Sequence, residues 1–147
     1  MVDEQRMAFL FDLDGTLVDS VYQHVLAWRA ALEAIGIELS IWRIHRRIGM
    51  SGGLFLAALL RETGRTVTPE EVRRVQQVHA ETYGQLLDQV RPLPGARALL
   101  EELTRLGIPW AIATSGRMES ARKTVAILGL DPERIPLVTR DHVRHAK

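Results

Sequence analysis

Asp12 and Asp14 stand on either side of Leu13 at the end of the apolar run Met7-Ala8-Phe9-Leu10-Phe11, and Gly15-Thr16 follows them. In an extended segment, side chains at i and i+2 project to one side. The two carboxylates therefore leave the strand together while Leu13 turns back to a core. Crowded carboxylates resist joint ionisation unless a cation is present, so the pair implies either a raised pKa or a bound hard metal such as Mg²⁺. An Asx turn capping the next helix is the alternative for a bare Asp-x-Asp. Here the strand before it and Asp19-Ser20 after it fill a longer pattern.

Such a pair does chemistry only if the chain holds it in place, and the surrounding punctuation predicts how. Trp110-Ala111-Ile112-Ala113 runs into Thr114-Ser115-Gly116, and residues 135–139 precede Arg140-Asp141, so strands that end in small polar residues recur. Leu99, Leu100, Leu103 and Leu106 form an i, i+3/i+4 stripe closed by Gly107 and Pro109, which predicts a helix over 94–106; 120–128 is another, stopped by Gly129. Strand and helix in alternation predict a parallel sheet with helical crossovers. Ligands of such sheets bind beyond the carboxyl ends of the strands, where Asp12 and Asp14 lie.

Residues 20–92 differ, carrying helical patterns and no strand signal. Helices are expected at 21–35 and 53–63. A third opens at Thr68-Pro69-Glu70-Glu71 as N-cap, N1 proline and capping-box glutamate, with Val72, Val75, Val78, Thr82, Leu86 and Val90 on one side. The expected fold is α/β, a parallel-sheet core from residues 1–19 and 93–147 with an all-helical insertion at 20–92.

Composition excludes several classes. In 147 residues, 19 basic against 18 acidic side chains leave a net charge of +1, which provides no field to hold nucleic acid or an anionic membrane. No cysteine is present, so disulfides, thiolate nucleophiles and iron–sulfur clusters are excluded. The longest apolar stretch, 54–60, is far shorter than the ~20 residues of a membrane span. Met1-Val2-Asp3-Glu4-Gln5-Arg6 is unlike a secretory signal. A cytoplasmic protein is expected, with no nucleic-acid or membrane partner.

The segment Asp12-Leu13-Asp14-Gly15-Thr16 after its strand resembles motif I of the haloacid dehalogenase-like superfamily. Ile112-Ala113-Thr114-Ser115-Gly116 resembles motif II, with Thr114 at its Ser/Thr position, and Lys147 stands where motif III has its lysine. The block at 20–92 is similar in place and length to the helical cap of one branch, so the resemblance covers the whole chain and implies a Rossmann-like core. It implies that Asp12 attacks a phosphoryl group to form an aspartyl-phosphate and that Asp14 protonates the leaving alcohol, then helps activate water. It also implies that Asp12 and the Asp14 carbonyl hold Mg²⁺, while Thr114, Ser115 and Lys147 bind the other phosphoryl oxygens. The family's later acidic motif IV has no room after Lys147. The resemblance thus implies a core incomplete at its C-terminal side, a piece of a longer protein with weak Mg²⁺ binding and little turnover alone.

Asp14 at the second acidic position is unlike the tyrosine of dehalogenases or the alanine of phosphonatases, which leaves phosphoryl transfer to water or a sugar hydroxyl. His24-Val25-Leu26-Ala27-Trp28 is similar to the start of the cap in β-phosphoglucomutase-like proteins, and Ile48-Gly49-Met50-Ser51-Gly52-Gly53 looks like the cap's substrate-facing loop. His24, Arg47, Gly49 and Ser51 are the cap candidates for touching substrate. True mutases carry an arginine where this chain has Gly52, which disfavours a mutase. The expected function is a Mg²⁺-dependent phosphatase of a small phosphorylated metabolite, a sugar phosphate or phosphoglycolate, in a monomer or weak dimer. A phosphomutase and a non-catalytic binding module are the alternatives. Plainer readings are packing for His24, Trp28, Trp42 and Trp110, a solvated helix face for Arg43 to Arg47, a surface or half-buried place for His79, and an exposed loop for His142 and His145.

Overall fold

Short apolar runs broken by turn residues produce the element order in the computed structural model, which describes residues 7–145. They are β1 (Phe9–Phe11), β2 (Val18–Asp19), α1 (Val21–Glu33), α2 (Ile41–His45), α3 (Gly52–Thr63), α4 (Pro69–Leu86), β3 (Arg91–Pro92), α5 (Ala96–Arg105), β4 (Trp110–Ala113), α6 (Met118–Ile127) and β5 (Leu137–Val138). The parallel sheet has the order β1-β4-β5, with Phe11 opposite Ile112 and Ile112 opposite Leu137. Because β1 and β4 run the same way in register, Asp12 and Thr114 emerge at the same end of neighbouring strands.

Two apolar clusters account for most of the buried side chains. One joins Leu13, Val18, Leu100, Ile112 and Val125 beneath the sheet, and Leu13 and Ile112 are wholly buried. The other joins Val25, Trp28, Leu32, Ile44, Phe55 and Val75 among α1 to α4. On the opposite face of the sheet Leu10 is 68% exposed and Val138 39%. Among the described residues no helix is long and apolar enough to cross a membrane.

Several expectations need correction. The stripe of α5 is Ala96, Leu100 and Leu103, while Leu99 and Leu106 are exposed; a single face toward the sheet admits only the i, i+4, i+7 set. On α4 the capping box forms as its spacing predicts, Thr68 Oγ1 accepting from Glu71 N–H and Glu71 Oε2 from Thr68 N–H. Its buried positions are Val75 and Tyr83, not Thr82, and the helix ends at Leu86, so Val90 packs under the sheet from outside it. Residues 20–92 are not free of strand, since β3 pairs antiparallel with β2, Asp19 opposite Arg91 and Val18 opposite Pro92. The two chain crossings are thereby zipped together away from the main sheet. Trp42 is exposed, with Arg46 stacked over its ring, because the short α2 buries only Ile44 and Trp42 lies on its other side.

The turn after β1 aims the two aspartates. Gly15 N–H donates to Val18 O and Leu17 N–H to Leu13 O, and Gly15 has φ of +75°. A Cβ there would lie 2.8 Å from Val21 Cγ2. Gly15→Ala is therefore expected to cost about 1–3 kcal/mol from the backbone conformation alone, with the contact to Val21 adding to it. A lowered urea midpoint at unchanged slope checks this.

Candidate functional site

A carboxylate at a strand end needs partners once the surrounding chain covers it, and Asp14, 22% exposed at its side chain, has three. Ser20 Oγ–H donates to Asp14 Oδ1 at 2.7 Å and His24 Nε2 lies 3.1 Å from the same oxygen. Thr114 Oγ1–H approaches Oδ2 at 3.5 Å. Thr114 is buried and accepts from the Gly116 N–H at 3.0 Å, which orients its hydroxyl. Burial pushes the Asp14 carboxyl up, but the hydrogen bond and charge of His24, with the bonds from Ser20 and Thr114, outweigh it and hold the group below the usual carboxylate range.

Asp12 shares a cavity of about 80 Å³ with Asp14, His24, Gly49, Ser115 and Gly116. A larger cavity of about 730 Å³ meets Asp14, His24 and Thr114 and runs along α4, where Gln76 and His79 line it, to Arg117 at the start of α6. Ser115 Oγ–H donates to Gly49 O at 3.0 Å, so the loop at 48–53 touches the tip of β4 directly.

Of the site residues read from the sequence, Asp12, Asp14, His24, Gly49, Ser51, Thr114 and Ser115 all line these cavities. Arg47 does not; it pairs with Glu62 and donates to Arg43 O at 3.0 Å. Lys147 lies outside the described residues. His142 caps the short turn after β5, its Nδ1 accepting from Thr139 N–H at 3.2 Å.

His79 is half-buried, as the sequence reading had it, but that reading gave neither His79 nor Tyr83 a place at the site, where both belong. The rings of Tyr83 and His24 stack at 4.0 Å between centroids, His24 Nδ1 is 3.4 Å from His79 Nε2, and His79 packs on Trp28 at 4.2 Å. Tyr83 Oη and Thr124 Oγ1, on α6, share a buried hydrogen bond of 3.0 Å. Burial, then the charge of His24, push His79 down to about 3; burial and the charge of Asp14 push the Tyr83 hydroxyl up. The available signal was spacing: His24 and Trp28 at i, i+4 on one helix, and Val75, His79 and Tyr83 at i, i+4, i+8 on another.

As for a metal, the Asp12 carboxylate and the Asp14 main-chain carbonyl are hard oxygen donors of the kind Mg²⁺ takes, and Mg²⁺ keeps several waters beside one or two carboxylates. That donor set fits Mg²⁺. Among the described residues no group of three or more His, Cys, Asp or Glu side chains is placed to hold a metal by itself.

A family model, haloacid dehalogenase-like hydrolase, matches residues 7–147. The chain is 37% identical to hexitol phosphatase A of Escherichia coli over 142 residues, covering 95% of this chain and 62% of that protein. With the β-phosphoglucomutase of Bacillus subtilis it shares 30% identity over 115 residues, 75% of this chain and 51% of that one. The crystal structure of a hydrolase from Pseudomonas syringae superposes with a TM-score of 0.93 at 51% identity, covering 95% of this chain and 64% of that chain. The chain thus spans about three-fifths of the length of hexitol phosphatase A.

The imidazole of His79 makes a stability prediction. In the unfolded chain His79 takes up a proton near pH 6.5, whereas in the folded chain it stays neutral to about pH 3. Between those values the unfolded state binds more protons, so stability falls as pH falls, by up to ~1.4 kcal/mol per pH unit for this one group. The lowered Asp14 group adds a further loss below about pH 4. Urea midpoints at pH 7, 5.5 and 4.5 should show the decline, and His79→Phe should make it shallower by one proton's worth. Equal slopes in the two proteins would remove this account of His79.

Proposed function

This chain belongs to the haloacid dehalogenase-like hydrolases, and from that premise we propose that it hydrolyses the phosphate monoester of a small metabolite, a sugar phosphate or phosphoglycolate, through an aspartyl-phosphate on Asp12. The observation that carries this reading is the convergence of Asp12, Asp14, Thr114 and Ser115 on cavities at the carboxyl ends of two adjacent parallel strands. Phosphoryl transfer needs positioned oxygens and compensated charge more than elaborate bond-making by protein groups.

The reaction has two displacements. An Asp12 carboxylate oxygen attacks phosphorus, the ester P–O bond breaks, and the departing alkoxide takes a proton from Asp14. Water then attacks the aspartyl-phosphate, giving a proton to Asp14, and orthophosphate leaves with the Asp12 carboxylate restored. Asp14 rests ionised on Ser20 and His24, which suits it as the base of the second step. A phosphate dianion brought beside it raises its pKa by like-charge repulsion, which lets it enter the first step as an acid. The Thr114 and Ser115 hydroxyls, with Lys147, would bind the non-transferring oxygens. Asp12 and the Asp14 carbonyl would hold Mg²⁺, which would supply positive charge to offset the repulsion between the carboxylate nucleophile and the phosphate.

In the same reading residues 20–92 are a cap over a core of 1–19 and 93–147. The 115–49 hydrogen bond closes it over the site, and the β2–β3 ribbon is its base. Closure keeps bulk water from the aspartyl-phosphate while admitting one nucleophile. The protein would work in the cytoplasm as a monomer or weak dimer, with no nucleic-acid or membrane partner. The mutase alternative is opposed at Gly52, where the second-phosphate arginine of mutases is absent and where a Cβ would lie 3.2 Å from the Trp28 ring, so a side chain there would require the indole to shift. Intact Asp12 and Asp14 oppose the non-catalytic one.

Asp12→Asn is near-isosteric and removes the acceptor oxygen, so in the full-length protein phosphate release from a panel of sugar phosphates and phosphoglycolate should fall at least ~1,000-fold at an unchanged urea midpoint. EDTA should abolish turnover and added Mg²⁺ restore it. Substantial activity in Asp12→Asn would end the nucleophile assignment.

A further inference from the structure

On α4 a histidine interrupts an apolar row. Val75, His79 and Tyr83 follow one another at i, i+4 and i+8 and so share a face, and the residues on either side of His79 are buried. An imidazole in that row costs free energy that a leucine or phenylalanine would not, unless its nitrogens find partners. Its Nε2 finds one, lying 3.4 Å from His24 Nδ1. The other nitrogen of His24, Nε2, is 3.1 Å from Asp14 Oδ1. His24 thus spends both nitrogens, one on the carboxylate and one on α4.

The stack around His24 fixes the plane of its ring but not which way round the ring sits. Tyr83 lies nearly parallel to it at 4.0 Å and 8°, and His79 at 5.5 Å and 9°. A half-turn about the Cβ–Cγ bond leaves these ring contacts nearly unchanged while replacing Nδ1 by Cδ2 and Nε2 by Cε1. Only the two hydrogen bonds tell the orientations apart, and without His79 a single one remains. His79 is itself wedged against Trp28 at 4.2 Å, and Trp28 against Phe55 at 4.2 Å, so the apolar cluster of α1 to α4 sets its position.

We propose that His79 is a positioning residue, holding the His24 ring with Nε2 toward Asp14 and so setting the orientation of the proton-transfer group from α4. This rests on the reading of Asp14 as the acid and base of phosphate ester hydrolysis. The plain alternative is that His79 only fills space in the stack.

The test uses the 147-residue chain with His79→Phe, which keeps an aromatic ring and removes the nitrogens, and His79→Gln, which restores a polar group able to reach His24. Ring ¹H–¹⁵N correlations of histidine-labelled protein at pH 7.5 should show His24 as one fixed form protonated at Nε2 in the parent and in His79→Gln. In His79→Phe, where no partner holds Nδ1, the two tautomers of His24 should exchange and their ring ¹⁵N shifts average. With p-nitrophenyl phosphate and Mg²⁺, kcat should fall about tenfold in His79→Phe with KM changed less than threefold, and His79→Gln should recover most of it. Parent-like ring signals and kcat in His79→Phe, or averaged His24 nitrogens in the parent, would overturn the proposal. If the 147-residue parent turns over too little phosphate ester for a kcat, the ring signals alone decide the positioning role, and the hydrolase reading stands or falls on the Asp12→Asn comparison. Should His79→Phe not fold, His79→Leu takes its place in the same comparison.

Discussion

The Asp14 carboxylate is covered by chain from several directions, and a covered anion persists only where donors converge on it. Those donors come from different parts of the sequence: Ser20 just before α1, His24 one turn into α1, and Thr114 just after β4. Satisfying one carboxylate therefore fixes the entry of α1 against the sheet and the pairing of β1 with β4 at once. Burying the group without these bonds costs several kcal/mol. The turn at 15–18 and the burial of Leu13 are the local devices that bring it to the place where the donors meet.

The same group couples the two apolar clusters. His24 reaches from α1 to the strand end, and Tyr83 reaches from α4 to Thr124 on α6. The antiparallel pair β2 and β3 joins the crossings at their base. The cavities lie between these ties, lined from above by Trp28, Ser51, Gln76 and His79 and from below by Asp14, Thr114 and Ser115. An opening motion would have to break the Ser115–Gly49 hydrogen bond and loosen the His24 stack, while the short ribbon could stay paired.

Trp28 has a double part in this arrangement. Its indole is packed into the cluster on Phe55 yet edges both cavities, and Gly52 approaches it so closely that even a methyl group would touch the ring. The glycines of the loop at 48–53 thus do more than permit a turn. At 52 the absence of a side chain lets the loop lie against the indole, which leaves its backbone and Ser51 rather than a long side chain facing the cavity.

What the sequence determined by itself was everything governed by local rules. The i, i+2 geometry of Asp12 and Asp14 needs only an extended strand. The capping box at Thr68 and Glu71 closes within one turn, and the strand tips at Thr114 and Ser115 follow from the apolar run before them. Relations between helices were decided only in three dimensions. No rule of spacing within α4 says that His79 faces His24 rather than water, because that depends on the rotation of α4 about its axis, set by Val75 and Tyr83 packing on α1. Nor does the row of arginines at 43–47 announce that Arg47 turns to Glu62, a partner on α3, and away from the cavity. Local periodicity fixes which residues share a face; which face meets which is settled by the packing of distant side chains, and that information appears only when the chain has closed on itself.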